Sequence, residues 1–258
     1  MQKTNSLVSK IFLLILTVIL FASCIKYESD DSIKASGTII SQDRNIMDPF
    51  QKIEVGNSID LEIEQGDKTQ VIVITDKVFQ KDIITKVKRG KLIISNNDTK
   101  TFFSFWGFNR NFNKNNSIKK VIVKLPEIEF LEATSAATIT NKGVIKSETL
   151  ELKTSSAAGM DLQIESDRIK ISANSGSTIN AEGLALSLHI NATSGSSVST
   201  SKLIANEIEA NSSSGSSISV NPVLTLNAKA SSGSNIDYTN NPKTIQKNAT
   251  SGASITKI

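Results

Sequence analysis

The sequence predicts an all-β protein, a parallel β-helix or solenoid with rungs of about 19 residues, preceded by a less regular β region. Three observations carry this expectation. A small-residue cassette of the form Ser-Gly-Ser-x-Ile returns at Ser135, Ser156, Ser175, Ser194, Ser214, Ser232 and Ser251, with spacings of 21, 19, 19, 20, 18 and 19 residues. A repeat of that length marks stacked units that each bury their face against a neighbour. Between cassettes the chain alternates with period two. Ile169, Ile171, Ala173, Ser175, Ser177 and Ile179 fall on one side, and Lys170, Ser172, Asn174, Gly176, Thr178 and Asn180 on the other; this is strand periodicity. Finally, the next rung repeats the first set as Leu188, Ile190, Ala192, Ser194, Ser196 and Val198. Each position thus becomes a column of like residues.

The N-terminal residues 1–23 read as a lipoprotein signal peptide. Lys3 and Lys10 precede the apolar run Ile11 to Phe21, which is too short for a membrane span, and Phe21-Ala22-Ser23-Cys24 follows. Cys24 is the only cysteine, and small residues precede it as they do in a lipobox. Cleavage before Cys24 and lipidation of its sulfur are expected, which makes the membrane a partner and an outer-membrane lipoprotein, facing the periplasm or the cell surface, the expected location. With no second cysteine, disulfides contribute nothing. Residues 24–36 are polar and unpatterned, a flexible tether. Its acidic stretch Glu28-Ser29-Asp30-Asp31 suits either a sorting signal or a solvated linker.

Residues 37–128 form the N-terminal β region. Strands are expected at Gly37 to Ser41, Phe50 to Val55, Ser58 to Glu64, Thr69 to Thr75, Ile83 to Lys88, Lys91 to Ser95 and Lys119 to Leu125, with Gly56-Asn57, Gln65-Gly66-Asp67 and Arg89-Gly90 as turns. The region either begins the solenoid with less regular rungs or caps its first rung, since an open strand edge invites pairing with another chain. Within it lies an insertion, residues 97–118. Phe102, Phe103, Phe105, Trp106, Phe108 and Phe112, with Arg110 beside them, place six of the thirteen aromatic residues in one short stretch. Such a segment suits a candidate binding loop that stacks on sugars or fills partner pockets. It also suits a hydrophobic plug over the open solenoid end.

Residues 129–258 are the regular repeats. The recurring cassette glycine fits a corner with positive φ or a close backbone approach. No phosphate-binding glycine motif is present. Inward serines would bond to one another or to the bending backbone, avoiding the cost of unpaired polar burial.

Charge and chemistry exclude several classes. The formal charge of +4 falls to about +2 without Lys3 and Lys10, and the charges of the repeats are interspersed, so no nucleic-acid partner is expected. Lys86, Lys88, Arg89 and Lys91 read as a solvated hairpin end. The single histidine, His189, lies on the outward parity of a rung. Neither a Ser-His-Asp set nor a nucleophile elbow is discernible, and no zinc site can be built. Asp161, Glu165 and Asp167 are the one surviving set for paired-carboxylate chemistry, but the rungs lack the insertions that form a cleft. No catalytic residue, metal or cofactor is expected.

The run Phe50-Gln-Lys-Ile-Glu-Val-Gly-Asn-Ser-Ile-Asp-Leu, then Lys91-Leu-Ile-Ile, then Val121-Ile-Val-Lys-Leu-Pro-Glu-Ile, then the Ser-Gly-Ser repeats, resembles the auto-transporter adhesin head GIN domain family, DUF2807, over about residues 37–258. Gly56-Asn57-Ser58-Ile59 stands where the family's short glycine motif belongs, without spelling Gly-Ile-Asn. The resemblance implies a right-handed β-helix and an envelope location, and it supplies no catalytic residues. No translocating barrel is expected after the last cassette. Three functions follow: a lipid-anchored adhesin or interaction protein using its Ser/Thr/Asn-rich face, a glycan-binding module using the aromatic loop, or a structural envelope protein. In the last case the final rung, ending Ser254-Ile-Thr-Lys-Ile258, would stack on another copy to give homo-oligomers.

Overall fold

The computed structural model describes residues 35–96 and 118–258. They belong to one compact unit, Ala35–Asp98 with Asn116–Ile258. Apart from the 3-10 turn Lys77–Phe79, the regular elements of the described residues are strands in a single 17-stranded sheet. The fold is a β-solenoid with rungs of about 19 residues.

In the repeats, strands β8 (Phe130–Ala133), β9 (Thr138–Lys142), β10 (Ile145–Thr154), β11 (Gly159–Ala173), β12 (Thr178–Ala192), β13 (Ser197–Ser212), β14 (Ser217–Ala230), β15 (Asn235–Tyr238), β16 (Thr244–Ala249) and β17 (Ser254–Lys257) stack in parallel register. The long strands bend midway. Each rung therefore has a leg before the cassette corner and a leg after it.

The corner is a pair of left-handed residues. Ser175 has φ +53° and Gly176 φ +68°, and every cassette repeats the pair. An ideal Cβ on Gly176 meets nothing within 4 Å, so the glycine answers to conformation and not to space. Ala136 (φ +59°) and Ala157 (φ +60°) hold the same conformation without it, against the steric cost of a Cβ there. The corner N–H groups are paired: Gly176 donates to Ser194 O at 3.1 Å and Gly195 to Ser214 O at 3.0 Å. Ser175, expected inward, is exposed. Two successive positive φ values turn its side chain out, and inward alternation resumes at Ser177.

Strands β1 (Ile39–Asp43), β2 (Lys52–Val55), β3 (Asp60–Gln65), β4 (Gln70–Asp76), β5 (Ile83–Lys88), β6 (Lys91–Asn96) and β7 (Lys119–Leu125) lie within two residues of the expected starts and ends. Their spatial order is not their chain order. β2 lies between β6 and β8, and β3 between β7 and β9, all parallel. The first strands to enter the solenoid thus form its second level, and β6 with β7 form the outermost one. Beyond that level the pairing turns antiparallel, with β5 on β6, β4 on β7 and β1 on β4. The region both begins the solenoid and covers its edge. The Arg89-Gly90 turn, with φ +52° and +71°, closes the expected hairpin.

Register aligns the inward side chains. Leu92, Ile53, Leu131, Leu152, Ile171 and Ile190 form one fully buried column, each worth about 1.5–3 kcal/mol of apolar burial. The column shrinks to Ala210 and Ala228 and ends on Lys247. The ammonium of Lys247 sits 4.6 Å from the centroid of the Tyr238 ring.

Candidate functional site

The buried polar groups of the corners are satisfied internally. Ser177, Ser196, Ser216 and Ser234 form a buried column. Ser177 Oγ donates to Asn174 O at 2.7 Å and lies 2.9 Å from Thr154 Oγ1. Ser196 Oγ donates to Ala173 O at 2.9 Å, and Ser234 Oγ to Ser212 O at 2.8 Å. These hydroxyls brace one rung against the next, as expected of inward serines, and are not available to a ligand.

The outer surface differs between the two legs. After the corner, Thr178, Asn180, Ser197, Ser199, Ser217 and Ser219 form two adjacent outward columns on three consecutive rungs. None of these six side chains makes a hydrogen bond or ion pair among the described residues. Their donors and acceptors face outward on a lattice set by strand geometry, about 4.8 Å between rungs and about 6.6 Å between alternate residues.

Before the corner, the outward columns carry charge. Lys91 Nζ lies 2.8 Å from Glu54 and 3.2 Å from Glu132. Burial acts to lower its pKa, but the two carboxylates outweigh that and raise it. Lys91 is therefore part of a ladder and not of a solvated hairpin end. Glu151 is pushed up by burial, yet the hydrogen bond from Lys153 and the charges of Lys153 and Lys170 hold it below the ordinary carboxylate range. Between Lys91 and Lys153 lies the ring of Phe130, with each ammonium 5.0 Å from its centroid. A groove of about 910 Å3 opens here. Charges of its lining are engaged by neighbouring side chains: Lys146 pairs with Glu165 at 3.0 Å, and Glu148 with Arg168 at 2.7 Å.

His189 is outward, as expected, and its ring is engaged on both sides. Nδ1 lies 3.2 Å from Glu209 Oε2, and Nε2 lies 2.8 Å from Asn191 Nδ2. Of the three carboxylates considered for acid chemistry, Glu165 is taken by Lys146. Asp161 pairs with β9 and Glu165 with β10, on the two legs of the rung. Among the described residues no group of three or more His, Cys, Asp or Glu side chains is placed to hold a metal ion. The expected lipidation residue Cys24 and the loop residues Phe102, Phe103, Phe105, Trp106, Phe108, Arg110 and Phe112 lie outside the described residues.

Two features escaped sequence reading. Gly183 lies outside the cassettes, between Ile164 and Leu203 in register. An interruption of an aliphatic column is the signal that marks it. Lys229 follows Asn191 and Asn211 in an outward column, and only aligning the rungs reveals it as a lone cation. On the bend side, Leu184, Leu186 and Ile204 are about half exposed.

The family model described as "Putative auto-transporter adhesin, head GIN domain" matches residues 49–242. No curated protein matches the chain. Among solved structures, one described as a putative adhesin from Bacteroides fragilis superposes with TM-score 0.77 at 19% identity, covering 88% of this chain and 100% of that one. One described as a putative lipid binding protein from Parabacteroides distasonis gives TM-score 0.68 at 20% identity, covering 88% and 99%. One described as a putative adhesin from Parabacteroides merdae gives 0.66 at 17% identity, with the same coverages. At these identities the likeness is one of fold.

Proposed function

Because the chain belongs to the auto-transporter adhesin head GIN domain family, we propose that it is a non-catalytic interaction protein of the cell envelope, exported and held at the outer membrane by a lipid on Cys24, that engages its partner through the outer polar face of the solenoid. One observation carries this reading. The six side chains Thr178, Asn180, Ser197, Ser199, Ser217 and Ser219 form a regular outward array with no partner among the described residues. Their neighbours at the corner are satisfied within the fold, so hydrogen-bonding capacity is concentrated where a partner can reach it. The array is uncharged and free of aromatic rings, which suits a broad, repeated polar contact more than a deep pocket.

The experiment has two parts. In intact cells, protease shaving beside a Cys24→Ala variant tests anchoring and exposure. Removal of the wild-type protein by protease, with release of the variant from the membrane fraction, supports the reading; protection until the outer membrane is opened refutes surface adhesion. For the face itself, adherence of cells carrying Asn180→Glu, Ser199→Glu and Ser219→Glu together should fall without loss of surface level. Unchanged adherence would remove this face from the mechanism.

A further inference from the structure

A second outward surface carries uncommitted groups, on the other leg of the rungs. A groove of about 400 Å3 runs across four consecutive rungs where the leg before the corner meets the corner. One wall is the column Asn191, Asn211, Lys229 and Asn248. The opposite wall is made of hydroxyls, those of Thr193, Ser213, Ser231 and Thr250, over a floor of small buried residues. Asn191 is committed, since its Nδ2 contacts His189 Nε2 at 2.8 Å and its Oδ1 accepts from Asn211 Nδ2 at 3.1 Å. These bonds orient the Asn211 amide and leave its Oδ1 free. The side chains of Lys229 and Asn248 and the four wall hydroxyls have no partner among the described residues. No carboxylate lines the groove, so the charge of Lys229 is uncompensated there. The groove beside Phe130 is the contrast: it is larger, but its lysines are already paired with glutamates.

We propose that this groove is a binding site for a carboxylated oligosaccharide, lying along the solenoid axis with its carboxylate on Lys229 and its hydroxyls on the Asn and Ser/Thr walls. The chemistry of the lining selects that class. Amides and hydroxyls ranged along both sides of a floor of small residues such as Ala192 and Ala230 exchange hydrogen bonds with a polyol, and that shallow floor offers a large apolar peptide side chain no deep pocket. A wall that repeats at the rung interval suits a ligand that also repeats. The single free cation favours an anionic sugar over a neutral one through a charge-assisted hydrogen bond. This inference rests on the reading of the protein as an envelope interaction protein, but it uses a different surface.

The test is titration calorimetry on the full-length protein in detergent, with a linear tetramer of galacturonic acid and a linear tetramer of galactose as probes. The wild type is expected to bind the acidic tetramer about ten-fold more tightly than the neutral one, with the difference shrinking as salt rises. Lys229→Gln should bring the two affinities together. Asn248→Asp, which puts a carboxylate in the wall beside Lys229, should also weaken the acidic tetramer; both variants change exposed side chains and are checked by an unaltered thermal midpoint. Absence of binding by the wild type, or an acidic preference that survives Lys229→Gln, overturns the site. If Lys229→Gln has no effect while the Asn180, Ser199 and Ser219 glutamate variant still abolishes adherence, the groove is refuted and the broader reading stands. If adherence is unaffected by that triple variant while Lys229→Gln equalises the two tetramers, the groove stands and the post-corner face falls.

Discussion

The carbonyl oxygen of Ile164 stands 2.0 Å from where a Cβ on residue 183 would be, so Gly183 leaves no room for any side chain. Its φ of +125° adds a backbone conformation that L residues rarely adopt. Gly183→Ala is expected to destabilise the protein by about 2–4 kcal/mol, combining overpacking and strain. Gly176→Ala, with open space around the same atom, should cost only about 1 kcal/mol. Urea midpoints of the two variants check this ranking, and equal effects would contradict it.

The converse holds at the first two cassettes. Ala136 and Ala157 occupy left-handed backbone with φ +59° and +60°. Replacing either with glycine should raise stability by about 0.5–1 kcal/mol, relief of the Cβ penalty exceeding the added freedom of the unfolded chain. A lowered thermal midpoint for both variants would show that the corner is held by something other than φ.

Ser216 is the most connected corner serine. Its Oγ lies 2.8 Å from Ala192 O, Ser213 O and Ser212 Oγ, and accepts from Ser213 N at 3.0 Å. Ser216→Ala removes these bonds, while Ala192 O and Ser213 O keep the backbone donors Ser213 N and Ser216 N, and should cost about 0.5–1.5 kcal/mol. Ser217→Ala, on the outward neighbour without a partner among the described residues, should stay within about 0.5 kcal/mol. Denaturant unfolding of the pair separates the bracing role from the surface role.

Asp76 ties the start of the described chain to the cap. Its carboxylate accepts from Val78 N at 2.9 Å, Ser36 Oγ at 2.8 Å and Gly37 N at 2.8 Å. The Val78 N–H is the largest influence, and with Ser36 and Gly37 it outweighs burial and holds the pKa below the ordinary 3.8. A depressed native pKa stabilises fully above the unfolded value and is lost as pH falls through the native one. The stability gap between wild type and Asp76→Asn should therefore be constant from about pH 7 to 5 and shrink below about pH 4. A gap independent of pH down to the acid limit would remove this carboxylate as its source.

Much of the rung was legible beforehand because its determinants are local. Alternation places Ile169 and Ile171 on the inward side whatever the neighbouring rung does, and a Ser-Gly pair can take a left-handed corner without tertiary help. Ser175 departs from the parity that alternation predicts because a two-residue left-handed turn interrupts that alternation. The free face of Thr178 and Asn180 could be read as outward. That their side chains have no partner, while Lys91 does, could not.

By itself the sequence determined the strand class, the rung length, the corner positions and the columns of aliphatic residues, because all of these follow from short-range periodicity and backbone preference. Only the tertiary structure decided that β6 and β7 lie outside β2 and β3, that Gly183 must be glycine, and that Lys229 is a cation without a carboxylate. Each of those depends on which strand lies alongside which and in what register, and parallel stacking brings together residues about twenty or more positions apart that no local pattern pairs.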